Sequence, residues 1–314
     1  MGKLYSHLVR KLMVREAPGN LYPQKVIWME SEDLAGFNAH FGYCFFTKPG
    51  FYHPVEGPIS HPYDECLVFA GTYLEDILKL GGEIAIRIGE EGEEYVIKDP
   101  SVVIVPKGVP HGPVEVRMVE KPIVHYVIGL SPKYEAVKAS FSGKKVQGQR
   151  KYWNLIKPLR TRPEAPLMDP TIVDERGVAR PAERGVGPAN ADQLIWMFGK
   201  DLEGLEVNFT WGFYSRCGKW HRGGEVHVHP EEEILVFVGL YPDNLEYLGA
   251  ELELAMGKEK ERYVFNTPTV AICPKGFPHL PLITRWVDKP YGFIVVCLSG
   301  EHASPWVEYV EDES

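Results

Sequence analysis

Hydrophobic positions along this chain come in short runs separated by glycine and proline. Residues 83–88 and 251–254 alternate between polar and apolar, while 66–69, 102–105, 124–128, 234–237 and 293–296 are almost wholly apolar. Alternation with a period of two marks a strand with one face in a core. Short continuous runs bounded by turn residues mark strands covered on both faces. The pattern predicts an all-β chain built from many short strands, as a sandwich or barrel. Helical signals are few: one short helix is expected over 131–142, and a turn or two over 72–80.

The pattern is also written twice. His229 against His61, Glu233 against Glu65, Gly239 against Gly71 and His279 against His111 all stand at an offset of 168, as do 194–197 against 26–29 and 289–290 against 121–122. Upstream, 164–166 matches 16–18 at an offset of 148, so the second unit carries an insert of 20 residues at about 171–190. A repeat of this period marks one structural unit used twice. The expected division is residues 1–142, a basic and polar linker 143–151, and residues 152–314. The insert, rich in glycine and proline, reads as an ordered loop near one barrel mouth.

Composition narrows the function classes. The 314 residues are 44% hydrophobic and 25% charged, ordinary for a soluble globular protein, and the net charge of −9 argues against nucleic acid or an anionic membrane as partner. No apolar run reaches membrane-spanning length. The five cysteines, Cys44, Cys66, Cys217, Cys273 and Cys297, are scattered and odd in number. They read as reduced thiols of a cytoplasmic protein.

The chemistry gathers at His227-Val228-His229-Pro230-Glu231-Glu232-Glu233. Residues two apart on a strand share a face, so His227 and His229 can point to one spot, with Glu233 joining them across a twist or bulge. His279, in the turn Pro274-Lys275-Gly276-Phe277-Pro278-His279, is the fourth candidate. Three imidazoles and a carboxylate suit one divalent transition metal, among iron, manganese, nickel, cobalt and zinc. In the first unit the matching positions are Ile59, His61, Glu65 and His111. That leaves a degenerate copy or a possible second metal site at His61, Glu65 and His111. His53, paired with His221 at the same offset, is a candidate substitute ligand.

These motifs resemble the cupin superfamily. Its first motif runs His-x-His, then Glu, then Gly, and its second runs Pro-x-Gly, then His. The resemblance implies two tandem double-stranded β-helix (jelly-roll) barrels, a bicupin, with few short helices. It also implies a mononuclear metal site of three histidines and one glutamate at His227, His229, Glu233 and His279. The chemistry most often carried by such a site is oxygen-dependent, dioxygenase-type oxidation of a small organic molecule, with Glu232 or His221 as catalytic proton acceptor. One alternative is a non-redox metal-dependent lyase, decarboxylase or isomerase acting on an oxo- or sugar acid. Another is a non-catalytic metal or small-molecule binding module. Family habit suggests a homodimer.

Trp211, Phe213, Trp220, Phe237, Trp286 and Phe293 are candidate pocket walls, Trp220 foremost. His125 reads as a hydrogen-bonded barrel histidine. Arg117 and Arg285 read as surface ion-pair partners.

Overall fold

The computed structural model describes residues 2–143, 150–161, 171–174, 179–181, 191–220, 226–304 and 306–308. Their regular structure is almost entirely antiparallel β, with three single-turn 3-10 segments and no α-helix among the described residues. No helix there is long and apolar enough to cross a membrane.

The chain forms two compact units. One contains residues 12–160 and 201–203. Its larger sheet runs Ile156–Pro158, Ser101–Val105, Glu65–Ala70, Ile123–Gly129, His40–Phe46, Val26–Met29 and Val14–Arg15. Its second sheet is built around His111–Val119 and Gly82–Ile88, with Gly50–Tyr52 and Ile59–Ser60 also pairing to the former. The other unit contains residues 1–11, 161–200 and 204–314. Its six-stranded sheet runs Val9–Lys11, Thr269–Cys273, Glu233–Gly239, Tyr291–Cys297, Asn208–Tyr214 and Gln193–Met197. A four-stranded sheet, Gly218–Lys219, His279–Val287, Ala250–Met256 and Glu261–Phe265, completes it.

The repeat is therefore visible strand by strand, but the units are not the contiguous stretches 1–142 and 152–314. Each takes an edge strand from outside its own repeat. Val9–Lys11 pairs with Thr269–Ala271 in the second unit, and Ile156–Pro158 pairs with Ser101–Val103 in the first. Most of the linker expected at 143–151 lies outside the described residues.

The fully apolar runs became strands with no exposed residue, as in Ser101–Val105 and Tyr291–Cys297. His111–Val119 and His279–Val287 share one burial pattern, with the inward positions His111, Val114 and Val116 matched by His279, Leu282 and Thr284.

The helix and the insert depart from expectation. Residues 131–142 form no helix: the chain makes bends and the short strand Val137–Lys138. Its backbone is spent on other segments, Ala139 N–H donating to Pro58 and Ser142 N–H to Glu90, so no i to i+4 ladder can close. Residues 72–80 make the hydrogen-bonded turns expected there. The insert expected as a loop contains a hairpin, Thr171–Asp174 with Ala179–Pro181, and the first of these pairs in parallel with Trp306–Glu308. Residues 175–178 and 182–190 lie outside the described set.

Candidate metal centre

In the second unit the four expected ligands meet. Glu233 opens a strand of the six-stranded sheet and His279 opens a strand of the four-stranded sheet, so the two inner faces meet here. His227 and His279 bridge each other through paired backbone hydrogen bonds of 3.2 Å. His229 lies two residues on, on the same face. His227 Nε2 is 2.8 Å from His279 Nε2 and 3.1 Å from His229 Nε2. Glu233 Oε2 is 3.0 Å from His229 Nε2 and 3.5 Å from His279 Nε2. All four side chains are buried.

Backbone carbonyls orient two of the rings. His229 Nδ1–H donates to Ala303 O at 2.9 Å and His279 Nδ1–H to Phe277 O at 3.2 Å. Each therefore turns a bare Nε2 inward, the tautomer a metal requires. Burial alone would raise the Glu233 pKa, but His229 and His279 outweigh it and hold the carboxyl well below its ordinary range. Burial lowers His279. His229 is raised, burial being outweighed by Glu233. Donors about 2.2 Å from an octahedral ion stand about 3.1 Å apart, so the spacings fit a divalent ion with coordination positions to spare. Cys273 lies beside Glu233 and His279. Burial, reinforced by Glu233, pushes its thiol well above its ordinary value, so it stays a neutral thiol beside the donor set.

The donors open onto a cavity of about 40 Å³. Its walls include Trp196, Trp220, Leu235, Leu282, Phe293 and Val295, with Thr210 and His302 as polar side chains outside the donor set. Trp220 is the pocket wall the sequence suggested: it stacks on Tyr214 at 3.9 Å between centroids, and its Nε1–H donates to Thr284 Oγ1 at 2.8 Å. Of the other aromatic candidates, Phe293 lines the cavity, while Trp211, Phe213 and Phe237 are buried elsewhere in the core and Trp286 is exposed. Glu232 is half-buried and does not line the cavity. His221 lies outside the described residues.

His302 was not anticipated. Its ring lies 4.9 Å from that of His229 and 4.7 Å from Trp196, and Ser304 Oγ sits 2.6 Å from its Nε2. The repeat held the signal. At the same offset of 168 stands Tyr134, whose ring packs 5.4 Å from His61 and 6.0 Å from Trp28.

The first unit brings together His61, Glu65 and His111, and adds His53. Their Nε2 atoms lie 3.4 Å (His61), 3.5 Å (His111) and 3.3 Å (His53) from Glu65 Oε2. Burial would raise Glu65, but His53 and His61 lead the interactions that hold it well below the usual carboxylate range. Ile59 faces His111 across the strands, in the register His227 holds against His279, and supplies no donor. His125 is hydrogen-bonded, as expected, to Val68 O and Tyr22. Arg117 pairs with Glu94 and Glu115 on the surface, and Arg285 reaches toward Glu251 and Glu253.

No protein-family model matches the chain, and no curated protein matches it in sequence. Solved structures do. The Mn(II)-containing oxalate decarboxylase of Bacillus subtilis superposes with a TM-score of 0.56 at 9% identity, covering 97% of this chain and 80% of its own. The formate complex of Lactobacillus farciminis oxalate decarboxylase gives 0.56 at 12% identity, covering 97% and 89%. Both are bicupins, and the chain shares that fold, two tandem double-stranded β-helix barrels.

Proposed function

We propose that the C-terminal barrel is the active centre of a metal-dependent decarboxylase or related lyase acting on a small oxo- or dicarboxylic acid. The observation that carries this reading is the meeting of His227, His229, His279 and Glu233 beside a small cavity with mostly apolar walls. The similar structures are named for decarboxylation, which favours a lyase over the dioxygenase-type oxidation the motifs first suggested.

His227, His229, His279 and Glu233 would hold the ion. When bound, it supplies Lewis acidity to a substrate oxygen. The chain's own part is to place and desolvate the substrate. A carboxylate moved from water to the wall of Trp220, Leu235, Leu282 and Phe293 loses hydration, and losing it as neutral CO2 relieves that cost. The carbon–carbon bond breaks, its electron pair stays on the remaining carbon, and that carbon takes up a proton. His302, on the cavity wall, is placed to deliver it. The cavity is small and its walls mostly apolar, which favours a compact substrate. Four buried free thiols, Cys44, Cys66, Cys273 and Cys297, fit a reducing compartment such as the cytoplasm.

The test is to incubate Mn(II)- or Fe(II)-loaded protein with a panel of small oxo- and dicarboxylic acids, recording CO2 and dissolved oxygen together. CO2 release without net oxygen consumption, lost in Glu233→Gln, is expected. Stoichiometric oxygen uptake with a substrate would replace the lyase by an oxygenase. No turnover across the panel, with metal bound, would leave a binding module.

A further inference from the structure

We infer that the N-terminal barrel holds a second, closed metal centre, built from His53, His61, Glu65 and His111. His53 there replaces the missing member of the His-x-His pair. The inference does not depend on the activity proposed for the other barrel.

The ring protons of this cluster point away from Glu65. His61 Nδ1–H donates to Glu135 O at 2.7 Å and His111 Nδ1–H to Val109 O at 3.2 Å. A carbonyl only accepts, so both rings carry their proton on Nδ1, and in the neutral form that a metal ligand takes both Nε2 atoms are bare. His53 is fixed by a longer chain. His125 Nδ1–H donates to Val68 O at 3.0 Å, which leaves His125 Nε2 to accept the Tyr22 hydroxyl at 3.0 Å. The Tyr22 oxygen then accepts His53 Nδ1–H at 3.0 Å. Three bare Nε2 atoms thus converge on one carboxylate oxygen, Glu65 Oε2, at 3.3, 3.4 and 3.5 Å. His61 Nε2 and His111 Nε2, both buried, have no hydrogen-bond partner. With the rings neutral these lone pairs face the carboxylate and repel it, and a cation at their centre, whether protons on the rings or one metal ion, removes the conflict.

Donors about 2.1 Å from a tetrahedral ion stand about 3.4 Å from one another. The three contacts to Glu65 fall at that spacing.

The backbone is alike in the two repeats, with φ +79° at Gly112 and +83° at Leu280, but the side chains differ at two matched positions. Where the second barrel has His227 the first has Ile59, and where the second has Leu280 the first has Gly112. Leu280 lines the cavity of its barrel. At Gly112 (φ +79°) a Cβ would lie 2.8 Å from the His53 carbonyl oxygen. Glycine there admits the segment that delivers His53, so the lost ligand and the entry of its replacement are matched changes.

The site is also enclosed. His53, Glu65 and His111 have no exposed surface, and Tyr63 stacks on His61 at 5.0 Å between centroids. Four buried protein donors describe a structural rather than a substrate-binding ion.

The experiment loads the full chain with Zn(II), dialyses it against a chelator, and measures bound metal by elemental mass spectrometry together with the thermal midpoint. Wild type should keep about one equivalent that resists the chelator. Glu233→Gln should keep that equivalent. His53→Ala should lose it and melt at a lower temperature. Tyr22→Phe, which deletes only the hydroxyl linking His125 to His53, guards against a misfolded His53→Ala. It should fold normally and release zinc about 10- to 100-fold more readily. Wild type that retains no chelator-resistant zinc would overturn the proposal. So would a retained equivalent lost in Glu233→Gln but kept in Tyr22→Phe and in folded His53→Ala.

Discussion

The Tyr22 hydroxyl sits 3.0 Å from His125 Nε2, in a part of the first barrel where the imidazole is itself wedged between Phe46 and Phe69 at 4.9 and 4.8 Å. Burial, followed by the nearby His53, pushes the His125 pKa down from 6.5 to about 3. The folded protein keeps this ring neutral where the unfolded chain protonates it. Between pH 6.5 and about 3 the unfolded state therefore binds more protons, and stability falls as pH falls, by up to about 1.4 kcal/mol per pH unit. His125→Phe, the residue at the matching position 293, keeps the aromatic stack and should flatten that part of the slope. Thermal midpoints of metal-free wild type and variant from pH 6.5 to 4 decide it: parallel curves would refute the assignment.

Glu233→Gln retains shape and removes charge. Metal affinity at the C-terminal centre should drop by about 100-fold or more, because the anionic member of the four-residue donor set is gone. Equilibrium dialysis with Mn(II) measures the loss, and an unchanged circular dichroism spectrum shows that the fold survives. Binding equal to wild type would mean that the carboxylate is not a ligand.

Trp220 is 1% exposed and holds Tyr214, Phe293 and Thr284 in place. Trp220→Ala should cost about 3–5 kcal/mol in urea unfolding, through lost burial and the void it leaves. It should also widen the cavity, so that bulkier acids bind. A stable variant with unchanged preference would place Trp220 outside the site.

Removing residues 1–11 strips the edge strand from Thr269–Ala271 and uncovers the hydrophobic contact made by Leu8, which is 4% exposed. The buried leucine alone is worth about 1.5–3 kcal/mol. Amide exchange should quicken at 269–273, next to the newly opened edge, and the truncated protein should associate more readily. Unaltered exchange at those amides would contradict the pairing.

The period-two runs, the motifs and the offset of 168 made legible the barrels, all four candidate ligands of the second unit and three in the first, because a strand fixes which face a residue takes. His53 was harder to read. Its arrival depends on Gly112 making room and on Tyr22 orienting the ring, relations between segments remote in sequence. Extending the offset past Leu130 would have paired His302 with Tyr134. It would also have paired Ala303 with Glu135, whose carbonyls orient His229 and His61. The edge strands Val9–Lys11 and Ile156–Pro158 obey no repeat, since each serves the barrel of the other half. The helix expected at 131–142 failed because local propensity lost to long-range backbone bonding.

That exchange of edge strands also sets a schedule for synthesis. The segment Val9–Lys11 leaves the ribosome early, yet its partner Thr269–Cys273 is made near the far end of the chain. Until then it is a tether without an anchor, an early strand waiting for a late one. The first barrel has its own delay, since Ile156–Pro158 follows every strand it joins. Such long-range closures slow folding and lengthen the time that bare sheet edges spend exposed. Chaperone demand in this protein should therefore rise twice during translation, before Ile156–Pro158 closes the first barrel and again before Thr269–Cys273 gives Val9–Lys11 its partner.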